Sequence, residues 1–204
     1  MVGLRERKKR ATEQAIEGAA VDIAFNEGID AVTVDRVCDI AMVSRSTFFN
    51  YYTSREQAIF GRPLEFDRER TTPILEENGS DLVVAAAEIV IDAVRGDADD
   101  PITKRRLQLF LREPGTTTRI SWASPQSRER LEEVLTEWLD EHPDLAALTD
   151  GDHATEARMI VGLAVVLGDE LMRHIRESKG EITIDPEQFR AAAAQLAQVA
   201  ASAV

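Results

Sequence analysis

The sequence predicts an all-α protein of about nine helices. A small N-terminal three-helix domain should occupy 1–60 and a larger C-terminal helical bundle 61–204. Three observations carry this reading. Apolar residues recur at i, i+3, i+4 and i+7 spacing through most of the chain. Capping residues and breakers separate those periodic stretches. Between Thr33 and Glu56 the pattern condenses into two short helices joined by a tight turn.

The first helix should run from about Arg5 to Asn26, with Ile16, Ala19, Ala20 and Ile23 as its buried stripe and Gly28 as its stop. Thr33 N-caps a second helix of about two turns, whose buried face is Val34, Val37, Cys38 and Ala41. Met42-Val43-Ser44 has room only for a turn, and Ser44 caps a third helix beginning at Arg45. At roughly 100° per residue, Arg45, Ser46, Phe49 and Asn50 share one flank, Thr47 and Tyr51 border it, and Phe48 and Tyr52 point to the core. Ser54 and Gln57 have capping-box spacing and open a fourth helix with Ala58, Ile59 and Phe60. Gly61-Arg62-Pro63 interrupts it, either as a domain boundary or as a simple stop and restart.

Beyond Asn78-Gly79-Ser80, a helix spans Asp81 to Arg95 and closes at Gly96; another opens at Asp100-Pro101, runs to about Arg112 and ends at Pro114-Gly115. Ser124 or Pro125 to His142 forms the next, with Leu131, Val134, Leu135, Trp138 and Leu139 on one side and Pro143 beyond. Asp152 to about Ser178 should be the longest and most central, apolar on nearly all sides from Met159 to Leu167. Asp185-Pro186 starts the last, lined by Phe189, Ala193, Leu196, Ala200 and Ala203.

The outer flank of the third helix presents a guanidinium, a hydroxyl, an amide and an aromatic ring. That set suits the donors, acceptors and thymine methyls of a major groove, which admits a helix. An ordinary helical hairpin with a polar outer face fits the same spacing. The first ten residues hold Arg5, Arg7, Lys8, Lys9 and Arg10 against Glu6, a basic arm suited to phosphates or a solubilising tail.

The run from Val37 to Glu56, VCDIAMVSRSTFFNYYTSRE, resembles the helix-turn-helix of the tetracycline-repressor (TetR/AcrR) family of bacterial transcriptional regulators. Ala15-Ile16, Ala19-Ala20, Phe25 and Gly28 resemble that family's first helix, so the likeness covers roughly residues 8 to 60. It implies an all-helical homodimer with an N-terminal DNA-binding domain and a divergent C-terminal domain that binds ligand and dimerises. It also implies phosphate contacts at Thr47, Tyr51 and Arg55; beside them, the outer flank of Arg45, Ser46, Phe49 and Asn50 is expected to read bases, and Thr33 with the arm residues Arg7, Lys8, Lys9 and Arg10 to hold phosphates. Two departures stand out: Met42 occupies a position where the family usually carries glycine, and Phe49 one where tyrosine is common.

The net charge of -13 argues against indiscriminate nucleic-acid binding, yet residues 1–60 carry eight Lys and Arg against nine Asp and Glu, so the acid load lies elsewhere. No apolar run approaches the roughly 18 residues needed to cross a bilayer. The N-terminus has no apolar signal segment, and the single cysteine, Cys38, suits a reducing cytoplasm. The three histidines lack metal spacing, and no phosphate loop, nucleophile elbow or CxxC is present, so neither cofactor, metal nor catalytic constellation is expected.

A ligand pocket is expected among the helices from Asp81 to Ser178, with Phe110, Trp122, Trp138, Met159 and Met172 as apolar walls and His174 or Arg173 as a polar anchor. Leu163, Leu167, Gly168, Leu171, Ala193, Leu196 and Ala200 are expected to form a dimer seam; the same small residues would also close a monomeric bundle, and the resemblance favours the dimer. The expected function is a cytoplasmic, ligand-responsive regulator, a repressor, that binds a palindromic double-stranded DNA operator as a homodimer and is released by a small-molecule effector, with no membrane partner. The alternative is a helical small-molecule or protein-binding module that has lost operator recognition, for which Met42 and Phe49 speak.

Overall fold

The computed structural model describes residues 3–95, 100–112, 124–148, 151–174, 176–178, 181–183 and 186–202. Ten α-helices lie among them: α1 (Leu4–Glu27), α2 (Val34–Ala41), α3 (Arg45–Tyr51), α4 (Arg55–Phe60), α5 (Arg68–Glu77), α6 (Leu82–Arg95), α7 (Pro101–Arg112), α8 (Pro125–Glu141), α9 (His153–His174) and α10 (Pro186–Ala201). The chain divides into two compact units, one of 1–62 with 97–121 and one of 63–96 with 122–204.

In the first unit, α1 is the spine. Its buried face of Ile16, Ala19, Ala20, Val21, Ile23 and Ala24 meets α2, α4 and α7. Gly28 ends it at φ 94°, a left-handed backbone that costs a glycine little, and a short 3-10 turn, Ile29–Ala31, leads into α2. Gly61 ends α4 in the same way, at φ 94°.

α7 belongs to this unit, although its sequence position placed it in the C-terminal bundle. The reason is local packing. The Phe110 ring stacks on Phe60 at 6.1 Å, Arg106 Nε donates to the Ile59 carbonyl at 2.8 Å, and the Arg112 guanidinium lies 3.9 Å over the Phe25 ring. Phe110, expected as a pocket wall, is therefore packed in the core of the N-terminal unit.

In the second unit, α6 and α8 pack on α9, α10 packs on α9, and α5 on α6. The core between them includes Leu75, Ile89, Leu135, Leu139, Val161 and Leu167. Leu167 and Leu171, expected at a dimer seam, are buried in this core instead. The reverse holds for Met159, an expected pocket wall, which is 58% exposed on the outer side of α9. Val166, at 53%, shows that α9 is not apolar-buried all round. Leu163 and Gly168 are half-buried, Ala193 and Leu196 pack on the rim of the core, and Ala200 is exposed.

Two expectations about α9 change. It is shorter than α1, 22 residues against 24, and it stops at His174. Arg176–Ser178 pairs antiparallel with Glu181–Thr183 as β1 and β2, in the register Arg176↔Thr183. The polar stretch after His174 has no apolar helical repeat, and Ile182 and Thr183 are β-branched, so a hairpin competes well there. Gly96, Pro114-Gly115, Trp122, Asp185 and Ala203 lie outside the described residues, as do the side chains of Met172, Arg173 and His174. No helix among the described residues is long and apolar enough to cross a membrane.

Candidate nucleic-acid interface

Thr33 caps α2 as its sequence suggests, its Oγ1 accepting from the Arg36 amide at 3.3 Å. Arg36 then ties α2 back to the end of α1, donating to Glu27 Oε1 at 2.7 Å and to the Ala31 carbonyl at 3.0 Å. Val37 and Cys38 turn inward. At the turn, Met42 sits at φ 53° and ψ 45°, and the amides of Met42 and Val43 both donate to the Cys38 carbonyl. The backbone thus keeps the left-handed helix exit that glycine usually provides. The cost of roughly 1 kcal/mol or more for a residue with a Cβ is borne locally. The Met42 side chain is 90% exposed.

Ser44 starts α3 by accepting the Thr47 amide at 3.0 Å, and its hydroxyl also bonds those of Ser46 at 2.9 Å and Thr47 at 2.8 Å. Phe48 and Tyr52 are wholly buried, at 0% and 1% exposure. The Tyr52 hydroxyl donates to Glu17 Oε1 at 2.8 Å, which pins α3 to α1. Burial and the neighbouring Glu17 carboxylate push its phenol well above the usual tyrosine range.

With those two side chains inside, the opposite flank of α3 is open. Arg45, Ser46, Phe49 and Asn50 are all exposed, Phe49 at 49%, while Thr47 and Tyr51 are half-buried at its edges. Arg45 forms an ion pair with Asp35, in the first turn of α2, and its guanidinium carbon lies 6.0 Å from the Phe49 ring centroid. Asp35 drew no attention in the sequence. Ten positions separate it from Arg45, and only the fixed crossing of two helices brings them together.

The basic arm is the first two turns of α1 rather than a separate tail, and Arg7, Lys8, Lys9 and Arg10 are exposed along it. A cleft of about 1310 Å³ opens between this end of α1 and the end of α3, lined by Arg5, Lys8, Lys9, Asn50, Tyr51 and Arg62. Arg5, Lys8, Lys9 and Arg62 against Glu6 give its walls a net positive charge that suits a phosphate backbone. Arg62 is the residue that the sequence reading missed. It donates to Glu13 Oε1 at 2.8 Å and to the Tyr51 carbonyl at 3.2 Å, and it lies 5.0 Å over the Tyr52 ring. Arg55 is engaged within the head as well, donating to the Val32 carbonyl at 2.7 Å and to Glu56 at 2.8 Å. Those bonds fix α4 against the loop before α2, beside the capping Thr33.

In the second unit, a groove of about 670 Å³ between α5, α6 and α10 has Ile74, Phe189 and Ala193 on its apolar side and Glu88, Asp92 and Arg190 on its polar side. Of the described expected walls, Phe110, Trp138 and Met159 do not line it. Trp138 is core, its ring stacked on His142 at 3.9 Å.

No protein-family model matches the chain. Among curated proteins it is similar to YdeS, an uncharacterised HTH-type transcriptional regulator of Bacillus subtilis, with 30% identity over 84 residues, 40% of this chain and 42% of YdeS. It is also similar to TcmR of Streptomyces glaucescens, an HTH-type transcriptional regulator of the tetracycline-repressor family, with 25% identity over 142 residues, 65% of this chain and 62% of TcmR. Both relatives are HTH-type transcriptional regulators, and the chain is similar to that class. The matches span about half the length of these two relatives. Among solved structures, RolR in complex with resorcinol aligns over 95% of this chain and 89% of its own, at 16% identity and a TM-score of 0.40.

Proposed function

We propose that this protein is a ligand-responsive transcriptional regulator of the tetracycline-repressor type, a cytoplasmic repressor that binds a palindromic operator as a homodimer and leaves it when a small-molecule effector binds. The observation that carries the reading is the division of α3. Phe48 and Tyr52 anchor one side, and Arg45, Ser46, Phe49 and Asn50 are left together on the other. A helix fixed in this way presents its polar flank to a groove without loss of core. Thr33, Thr47, Tyr51 and the basic start of α1 border that flank, where phosphates would run. The relatives support regulation of transcription over catalysis.

Dimerisation is argued from α9 and α10. Met159 and Val166, seven positions apart, form one outward apolar line with half-buried Leu163 between them, and exposed Val199 and Ala200 lie on α10. Two-fold symmetry would set two reading helices about 34 Å apart, one DNA turn. Effector binding rests on the resemblance to the tetracycline-repressor family, and the groove between α5, α6 and α10 offers a space of suitable size. The expected division at residue 60 becomes, in this reading, a head of 1–62 supported by α7.

The alternative, a helical binder without an operator, loses one of its two supports because Met42 leaves the turn intact; Phe49 still speaks for it. Selection of bound duplex from a random DNA pool, at stated salt, tests the proposal. A palindromic motif is expected. Binding without enrichment of any sequence, or a motif lacking two-fold symmetry, would count against it.

A further inference from the structure

Asp35 is an oddity on a surface meant for a polyanion. It is exposed, it stands in the first turn of α2, and it places a carboxylate on the flank that carries Arg45 and Phe49. Stability gives little reason for it. The side chains of the pair are 69% and 59% exposed, and such pairs contribute little in water. A negative charge there also opposes approach to phosphates.

The contact geometry supplies a reason. Arg45 uses Nη1 toward Asp35, while its Nε and Nη2 groups make no hydrogen bond to the described residues. Those two N–H groups form a planar fork of the kind that pairs with O6 and N7 of guanine. The Phe49 ring, 6.0 Å from the guanidinium carbon, restrains the same group from a second side. An arginine held by a carboxylate and a ring gives up less rotamer freedom on binding than a free one, and it meets a base edge in one orientation. Specificity gains from this more than affinity does.

We propose that Asp35 is a positioning residue that holds Arg45, together with Phe49, in the orientation that reads a guanine. This rests on the operator-binding reading above. Asp35 acts through Arg45, so its removal should alter one base position and leave the rest of the recognition intact.

The test is selection from a random duplex pool with the full chain as wild type, Asp35→Asn, Arg45→Ala and the double variant, with melting curves to show that each is folded. Wild type should enrich a guanine in each half-site that Arg45→Ala no longer selects. Asp35→Asn should weaken that guanine preference at least about fivefold while other positions hold, and the double variant should match Arg45→Ala. A guanine preference that survives or sharpens in Asp35→Asn would overturn the proposal, as would an equal loss at every position. A guanine that persists in Arg45→Ala removes the base-reading role of Arg45 and this inference with it, but spares the regulator. A wild-type chain that enriches no motif sinks the regulator itself.

Discussion

Tyr52 shows how one side chain serves both structure and site. Its ring is buried beside Phe48, and its hydroxyl crosses from α3 to Glu17 of α1. Because its phenol is held above the ordinary tyrosine range, its contribution to stability is complete below the unfolded-state value near 10 and is lost as pH rises toward the folded-state value. Tyr52→Phe should lower stability at neutral pH by about 1 kcal/mol, through the lost bond to Glu17. It should also flatten the decline above pH ~10, as urea denaturation across pH would show. An alkaline limb unchanged by the substitution would mean that another group sets it. Arg55 makes a different point. Its match to a phosphate-contacting position was visible in the sequence, but its bonds to Val32 and Glu56 were not, because they join residues whose proximity depends on the packed head.

Local chemistry decided most element boundaries, and there the sequence was readable. Thr33, Ser44 and Ser54 each cap the helix they precede. Gln57 departs from the full capping box, since its side chain accepts from the Thr53 amide instead of the Ser54 amide. Met42 is the exception that costs stability. Met42→Gly should stabilise the head by about 1 kcal/mol, because relief of the left-handed strain outweighs the extra chain entropy of glycine. A chemical denaturation midpoint shifted downward would show that the exposed Met42 side chain contributes something the turn geometry does not reveal. The end of α9 was misread for the opposite reason. No capping residue marks His174, and a three-residue strand is too short to announce itself by alternation.

At the scale of the whole chain, the apolar pattern told how many faces must be covered but not by what. Leu167 and Met159 are both apolar residues on α9, eight positions apart, yet one lies in the core and the other is exposed. If the outward line of α9 is the dimer seam, then Met159→Glu with Val166→Glu should yield a folded monomer by light scattering, because buried like charges at a two-fold interface are strongly unfavourable. A dimer that persists through both changes would move the seam elsewhere. Leu167→Ala should behave differently, with a loss of about 2–5 kcal/mol in stability as expected for a buried leucine.

What the sequence by itself determined was the set of helices, their caps, the turn between α2 and α3 and the flank of α3 that faces outward, because each depends on residues within a few positions of one another. The tertiary structure alone decided that α7 joins the head, that Leu167 faces inward while Met159 faces out, that α9 yields to a hairpin, and that Asp35 meets Arg45. Those outcomes are set by contacts between distant segments, where many apolar surfaces could satisfy one another and only the packed chain selects among them.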